Sequence, residues 1–133
     1  MPPFDIGEEL IPVEKIIKQE KINSYGKVAD DLNPLHIDPE FAKKTRFGGT
    51  IAHGFIPVAY ISEMMVNNFG NPWFTTGRLK VTFLGPVRPE DIIRVKGNIT
   101  AIEAGSPARI HCRIWCENQN MQQVIVGESS VVI

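Results

Sequence analysis

The feature that most limits the possible folds is one apolar segment of helical period, followed by segments of period two. The segment FIPVAYISEMMVNNF, residues 55–69, predicts a helix with one buried face. The predicted buried positions are Phe55, Val58, Ala59, Ser62, Met65, Val66 and Phe69. Pro57 places the helix start near Gly54, because proline is tolerated where its missing N–H would be unpaired anyway. Gly70 and Pro72 supply the stop signal.

Beyond this helix, apolar and polar residues alternate. The predicted inward positions are Leu79, Val81 and Phe83; Ile93, Val95, Gly97, Ile99 and Ala101; and Ala108, Ile110, Cys112, Ile114 and Cys116. A last strand is predicted from about Gln122 to Ile133, and an N-terminal strand near Leu10 to Lys18. One-sided alternation indicates an antiparallel sheet with one face packed on the helix. The sequence therefore predicts an α+β fold of about five strands and one long central helix.

Composition limits the partners and the compartment. The 133 residues, 43% of them hydrophobic, predict a single domain over residues 1–133. A net charge of −1 gives no reason to expect nucleic acid or membrane as a partner. The opening MPPFDIGEEL lacks the basic and apolar parts of a signal peptide. The chain has two cysteines, and both are expected to be free thiols. These features predict a cytoplasmic protein.

A carboxylate and an imidazole stand five positions apart across a predicted bend. Residues 25–32 read as a short helix that Pro34 must end, which puts Asp31 in the last helical turn and His36 on the segment leaving it. Asp38 then caps another short helix that begins at Pro39. The two stiff pieces meet at a corner, so Asp31 and His36 are predicted to face one point. Such a pair can hold a water and share its protons.

These residues resemble the MaoC-like family, and within it the (R)-specific enoyl-CoA hydratases of the hydratase 2 type. The resemblance covers essentially the whole chain. The matching positions are Tyr25, Asp31, Asn33, Pro34, Leu35, His36, Asp38, Ile51, His53, Gly54 and Ser62. It implies a hotdog fold, a homodimer, and syn hydration of trans-2-enoyl thioesters, carried by CoA or by acyl carrier protein. One position departs from the family pattern, because Asp30 stands where glycine is usual.

The resemblance also implies roles for individual residues. Asp31 and His36 are the predicted catalytic pair, and the Gly54 amide, at the start of the long helix, is expected to bind the thioester carbonyl. His53 and Ser62 are expected in the substrate pocket, His53 either lining it or fixing the loop. Asn33 is a candidate for substrate binding, although its residue type favours a structural role as a turn former, and a role in orienting His36 is a further alternative. No cofactor is expected.

The same segment also carries oxygen and nitrogen atoms of the kinds that bind metal ions. An EF-hand loop starting at Asp31 needs glycine at its sixth position and glutamate at its twelfth, where this chain has His36 and Ala42. Zinc would need more nitrogen or sulfur ligands nearby, and Cys112 and Cys116 are predicted to face the core. No metal is therefore predicted.

Two other functions are also compatible with the sequence. Hotdog proteins include thioesterases with a carboxylate on the central helix, and Glu63 is a carboxylate there, although its place beside Ser62 favours an outward direction. A non-catalytic subunit that binds acyl thioesters is the other alternative.

Overall fold

The sheet has five strands and is antiparallel throughout, as predicted. A computed structural model describes residues 4–133, so Met1–Pro3 of the predicted leaderless N-terminus lie outside the described part. The strands are β1 Val13–Ile16, β2 Arg78–Phe83, β3 Ile92–Glu103, β4 Arg109–Glu117 and β5 Gln123–Val132. Their order is β1-β3-β4-β5-β2, so β1 and β2 form the two edges. The strand predicted from Leu10 to Lys18 is shorter than expected, with Leu10 joining the sheet only through a backbone hydrogen bond to Gly97.

Five helices lie between β1 and β2. They are α1 Gln19–Ala29, α2 Pro34–Ile37, α3 Pro39–Lys43, α4 Phe55–Phe69 and α5 Pro72–Thr76. The long helix α4 packs against β1, β3 and β4, which confirms the predicted sheet on one central helix. No helix in the described part has the length and hydropathy needed to cross a bilayer.

The buried face of α4 differs from the predicted one. Its buried residues are Ile56, Pro57, Ile61, Met64, Met65 and Phe69, so only Met65 and Phe69 of the predicted set are fully buried. Phe55 is 70% exposed and Ala59 is also exposed. The prediction failed because most side chains in this segment are apolar. Several helical faces then satisfy the same spacing rule, and tertiary packing chooses among them.

Period two predicted most inward positions of the strands correctly. In β4, Ile110, Cys112, Ile114 and Cys116 are all buried. Ala101 is exposed instead, because the pairing of β3 with β4 shifts between Ile99 and Ala101. A bulge inserts one residue and reverses the alternation beyond it. Phe83 was also predicted inward, but it is 55% exposed at the end of the edge strand β2.

The helix before the bend begins and ends earlier than predicted. It spans Gln19–Ala29, its inward residues are Ile22 and Gly26, and Val28 is 88% exposed. Asp30 ends the helix in the left-handed conformation with φ 54°, so Asp31 lies beyond the helix and not in its last turn. The helix end was misplaced because the usual signal for a left-handed C-cap is glycine, and this chain has Asp30 there. Glycine is also the residue that the family pattern has at this position.

The left-handed Asp30 predicts a stabilising substitution, Asp30→Gly. A left-handed conformation costs a non-glycine residue about 1–2 kcal/mol, which exceeds the extra backbone entropy of glycine, about 0.5–1 kcal/mol. Removing a carboxylate from the negative end of the helix adds a further small gain. We expect Asp30→Gly to raise the free energy of unfolding by about 1 kcal/mol, or Tm by about 4 °C, in thermal unfolding followed by circular dichroism.

The matched control for this prediction is Ser24→Gly, an exposed position inside the same helix. Its backbone is already helical, so glycine there should lower the free energy of unfolding by about 0.5 kcal/mol. An unchanged or lower Tm in Asp30→Gly would contradict the strain assigned to Asp30.

Candidate active site

Two hydrogen bonds to the main chain of Asp31 fix its position. Its N–H donates to the carbonyl of Gly26 at 2.8 Å, which closes the end of α1. Its carbonyl accepts a hydrogen bond from Nε2 of His53 at 2.9 Å. The exposed carboxylate is therefore carried by a backbone fixed on both sides, although Asp31 lies outside any helix.

Gly26 is a positioning residue that the sequence prediction missed. A Cβ at this buried glycine would lie 2.8 Å from the carbonyl oxygen of Asp31 and 3.5 Å from Cε1 of His53. Any larger residue would push the Asp31 loop away from α1. The available signal was a glycine inside a helical pattern, which costs about 1 kcal/mol against alanine and so indicates a packing reason.

His36 lies inside α2, and not on a segment leaving a helix as predicted. Asn33 caps α2 through its side-chain oxygen, which accepts from the Leu35 N–H at 3.0 Å. Asp38 caps α3 as predicted, and Pro39 is the first residue of that helix. Nδ1 of His36 donates to the carbonyl of Ile51 at 2.8 Å. Because a carbonyl only accepts, this bond fixes the proton on Nδ1 and leaves the lone pair of Nε2 free.

His53 is a buried partner of His36. Its side chain packs in a stack on the His36 ring, with centroids 4.0 Å apart and planes inclined by 27°. Tyr25 contacts the His53 ring edge-on at 4.8 Å between centroids. His53 is 3% exposed, and its Nδ1 has no hydrogen-bond partner within residues 4–133. His53 therefore holds the Asp31 loop, and it also lines the cavity described below. The two roles that the sequence left open for His53 are compatible.

The side chains of Asp31, His36 and His53 converge. One polar atom from each lies within 4.8 Å of the others. A single water that makes hydrogen bonds of about 2.8 Å at a tetrahedral angle joins partners about 4.6 Å apart. The Asp31 carboxylate and the His36 imidazole are thus close enough to share one water.

The same trio suits a metal ion poorly. The lone pairs of the two imidazoles lie in the planes of their rings, which are stacked 4.0 Å apart between centroids with an inclination of 27°. They cannot meet at one ion with the nitrogen–zinc distance of about 2.0–2.1 Å. The geometry therefore favours a water between carboxylate and imidazole.

A cavity of about 500 Å³ lies beside this cluster. It is mostly apolar and is lined by His36, Arg46, Phe47, Ile51, Ala52, His53, Gly54, Pro57, Phe83, Leu84, Gly85, Pro86, Val87 and Ile125. Gly54 stands immediately before α4, as predicted, and its N–H has no acceptor among the described residues. A Cβ here would lie 3.1 Å from the Phe83 ring, so glycine keeps the helix start accessible from the cavity.

Other candidate residues lie away from the cavity lining. Ser62 accepts a hydrogen bond from Nε1 of Trp73 at 2.7 Å, which ties α4 to α5. Glu63 forms an ion pair with Lys15 at 3.1 Å. Neither residue is among those that line the cavity.

The two cysteines are core residues, as predicted. Burial raises the pKa of the Cys112 thiol to about 11, with a hydrogen bond to Ser129 acting in the opposite direction. Burial alone raises the pKa of the Cys116 thiol to about 12. Both thiols are therefore protonated at neutral pH, and a thiolate nucleophile or metal ligand is not available from them.

The fold and this site define a class of protein. Residues 4–109 match the family described as MaoC like domain, and the chain belongs to that family. The solved (R)-hydratase from A. caviae, involved in PHA biosynthesis, superposes with a TM-score of 0.87 over 98% of both chains at 21% identity. This likeness confirms the predicted hotdog fold.

Two curated relatives are similar over nearly the whole chain. A 3-hydroxybutyryl-CoA dehydratase of Methylorubrum extorquens is 27% identical over 120 residues, covering 90% of this chain and 74% of the relative. An (R)-specific enoyl-CoA hydratase of Rhodospirillum rubrum is 26% identical over 119 residues, covering 90% and 81%. Hydratase and dehydratase name the two directions of one addition of water.

Proposed function

We propose that this protein is a hydro-lyase that adds water to trans-2-enoyl thioesters to give (R)-3-hydroxyacyl thioesters, and that catalyses the reverse dehydration. The observation that carries the proposal is the convergence of the Asp31 carboxylate with the His36 imidazole beside an apolar cavity that reaches the start of α4. The names of the relatives support it, since they include substrates carried by CoA and by acyl carrier protein.

In the proposed mechanism, Asp31 and His36 hold the water on one face of the double bond. One of the two groups takes a proton as the water oxygen forms its bond to C3. The pair returns a proton to C2 from the same face, so the addition is syn. Positioned acid–base groups of this kind contribute about 10²–10⁴ in rate.

The amide of Gly54 supplies the second part of the mechanism. As C3 is attacked, negative charge develops on the thioester oxygen. An unpaired N–H at the start of the 15-residue α4 donates to that oxygen, and the helix dipole favours the charge. Asn33, whose side chain caps α2, and Ser62, bonded to Trp73, support the site by fixing its elements in this proposal.

A single assay tests the proposed reaction against its two rivals. The protein is incubated with crotonyl-CoA, and enoyl absorbance and free thiol are followed together. The proposal predicts loss of enoyl absorbance without thiol release. Thiol release would indicate a thioesterase. Glu63 is poorly placed for that reaction, because it forms an ion pair with Lys15 and is not among the residues that line the cavity. Absence of both changes would indicate a binding protein.

We also propose that the protein acts as a homodimer. The edge strand β2 is unpaired on its outer side within the described chain, and Phe83 and Leu84 at its end are each 55% exposed. Phe55, beside Gly54, is 70% exposed in the same region. Exposed edges with apolar side chains are usually covered by another chain. A second copy would cover apolar surface next to the cavity.

The expected result is a dimer at micromolar concentration in sedimentation velocity. Phe83→Lys should shift the protein toward monomer, because it places a charge at the proposed contact. Met121→Lys is the matched control, since Met121 is also an exposed apolar residue (77%) but lies in the turn between β4 and β5. A wild-type monomer, or a dimer unaffected by Phe83→Lys, would contradict the assignment of this edge.

A further inference from the structure

The side chain of Gln19 joins three elements of the site. Gln19 is the first residue of α1, and its Nε2 donates to the main-chain carbonyl of His36 at 2.8 Å and to Oδ1 of Asn23 at 2.9 Å. Its Oε1 accepts a hydrogen bond from Oγ1 of Thr50 at 2.6 Å. One amide thus connects α1, the helix that carries His36 and the segment that leads into Gly54.

The segment at Thr50 also holds the His36 ring. Thr50 is 9% exposed, and the next residue, Ile51, provides the carbonyl that accepts from Nδ1 of His36 at 2.8 Å. His36 is therefore held at two points. Gln19 binds its main chain, and Ile51 binds its ring. Gln19 and Thr50 link those two points through their side chains, beside the main-chain bond from the Ile51 N–H to the Leu35 carbonyl at 3.3 Å.

The carbonyl of His36 needs an outside donor. It lies in the last turn of the four-residue α2, where carbonyls have no partner within the helix. Without the Gln19 amide, α2 would lose this side-chain link to α1 and to Thr50, and only the longer bond from the Ile51 N–H to the Leu35 carbonyl, at 3.3 Å, would join its main chain to the Thr50 segment. The His36 ring would then be carried by a less restrained helix, and its Nδ1–H would be held less firmly against the Ile51 carbonyl. That bond is what keeps the proton on Nδ1 and presents the Nε2 lone pair to water.

We infer that Gln19, together with Thr50, is a positioning residue that fixes the ring orientation and tautomer of His36. This inference rests on the proposed function for its kinetic consequence. Gln19 is not among the residues that line the cavity, so it acts through His36 and not on the substrate. Small displacements of a reacting group reduce rates steeply, by up to about 10²-fold for a shift of about 1 Å.

The first arm of the test is kinetic. Gln19→Leu removes all three hydrogen bonds with little change in volume, and we expect kcat for crotonyl-CoA to fall about 10- to 100-fold with KM changed less than about 2-fold. Thr50→Val removes only the bond to Oε1, so it should lower kcat in the same direction by a smaller factor. Thr50→Val also serves if Gln19→Leu does not fold.

The matched control is Gln119→Leu. Gln119 likewise makes two side-chain hydrogen bonds, donating to Asp91 at 3.0 Å and accepting from the Ile92 N–H at 3.0 Å, but outside the cavity lining. Its loss should lower stability without changing kcat. Equal kcat losses in Gln19→Leu and Gln119→Leu would overturn the inference, since they would reflect a general loss of structure.

The second arm does not depend on activity. The chain has 3 histidines, so the ring nitrogens of His36 can be followed by ¹⁵N NMR at alkaline pH. We expect the Nδ1–H tautomer in the wild type and in Gln119→Leu, and a shift toward Nε2–H in Gln19→Leu and Thr50→Val. An unchanged His36 tautomer would overturn the inference. An inactive wild-type protein would refute the proposed function, and the tautomer shift would still decide the role of Gln19.

Discussion

Replacing Asp31 by asparagine is expected to lower kcat for enoyl-thioester hydration by about 10²–10⁴, because asparagine keeps the shape of the side chain but cannot take a proton. His36→Ala should cause a loss of the same size. The Asp31 carboxylate is exposed, and the backbone at Asp31 is held by bonds to Gly26 and His53 that the substitution leaves intact. Steady-state kinetics with crotonyl-CoA, at matched circular dichroism, measures the effect.

The neighbouring carboxylate supplies the matched control. Asp30→Asn removes the same charge one residue away, and asparagine tolerates the left-handed conformation of Asp30. It should keep activity near that of the wild type. If Asp31→Asn stayed as active as Asp30→Asn, the acid–base role of Asp31 would have to be abandoned.

Gly54→Ala is expected to lower kcat by about 10²–10³. The new Cβ would lie 3.1 Å from the Phe83 ring, at the place where the proposed thioester oxygen meets the helix start. Alanine keeps the N–H, but its methyl group and the displaced Phe83 ring move the thioester oxygen away from it, and loss of one such hydrogen bond removes about 2.7–4 kcal/mol of transition-state stabilisation. Because the donor acts on charge that develops in the reaction, kcat should fall more than KM rises.

Gly49→Ala is the control for this substitution. Nothing lies within 4 Å of a Cβ at Gly49, and its φ is not positive, so alanine is accommodated without strain. Activity in Gly49→Ala should remain near the wild-type value. Full activity in Gly54→Ala would show that the reaction does not use this helix start.

The sheet was predictable because alternation records which face of a strand is buried. The four inward residues of β4 follow from period two alone. The exposed Ala101 does not, since the bulge beside it depends on pairing with β4 and leaves no local signal. The long helix was predictable in extent but not in face. In a segment where most residues are apolar, only contacts with the sheet decide which side is buried.

The site was predictable where a family pattern or a capping rule applied. Asp31 and His36 were identified by resemblance, and the Asp38–Pro39 helix start by its residue types. The parts that bring Asp31 and His36 together were not found. Gly26 and Gln19 act through a carbonyl of another segment, and such contacts exist only once the chain has folded. The end of α1 was misplaced because aspartate takes a conformation for which glycine is the usual signal.

Hydration of crotonyl-CoA in D₂O shows directly whether a paired acid and base act on one face of the substrate. The product is analysed by chiral separation for C3 and by NMR for the position of deuterium at C2. We expect (R)-3-hydroxybutyryl-CoA with one deuterium, added at C2 from the same face as the oxygen. An (S) product, anti addition, or a mixture of both configurations at C2 would contradict it.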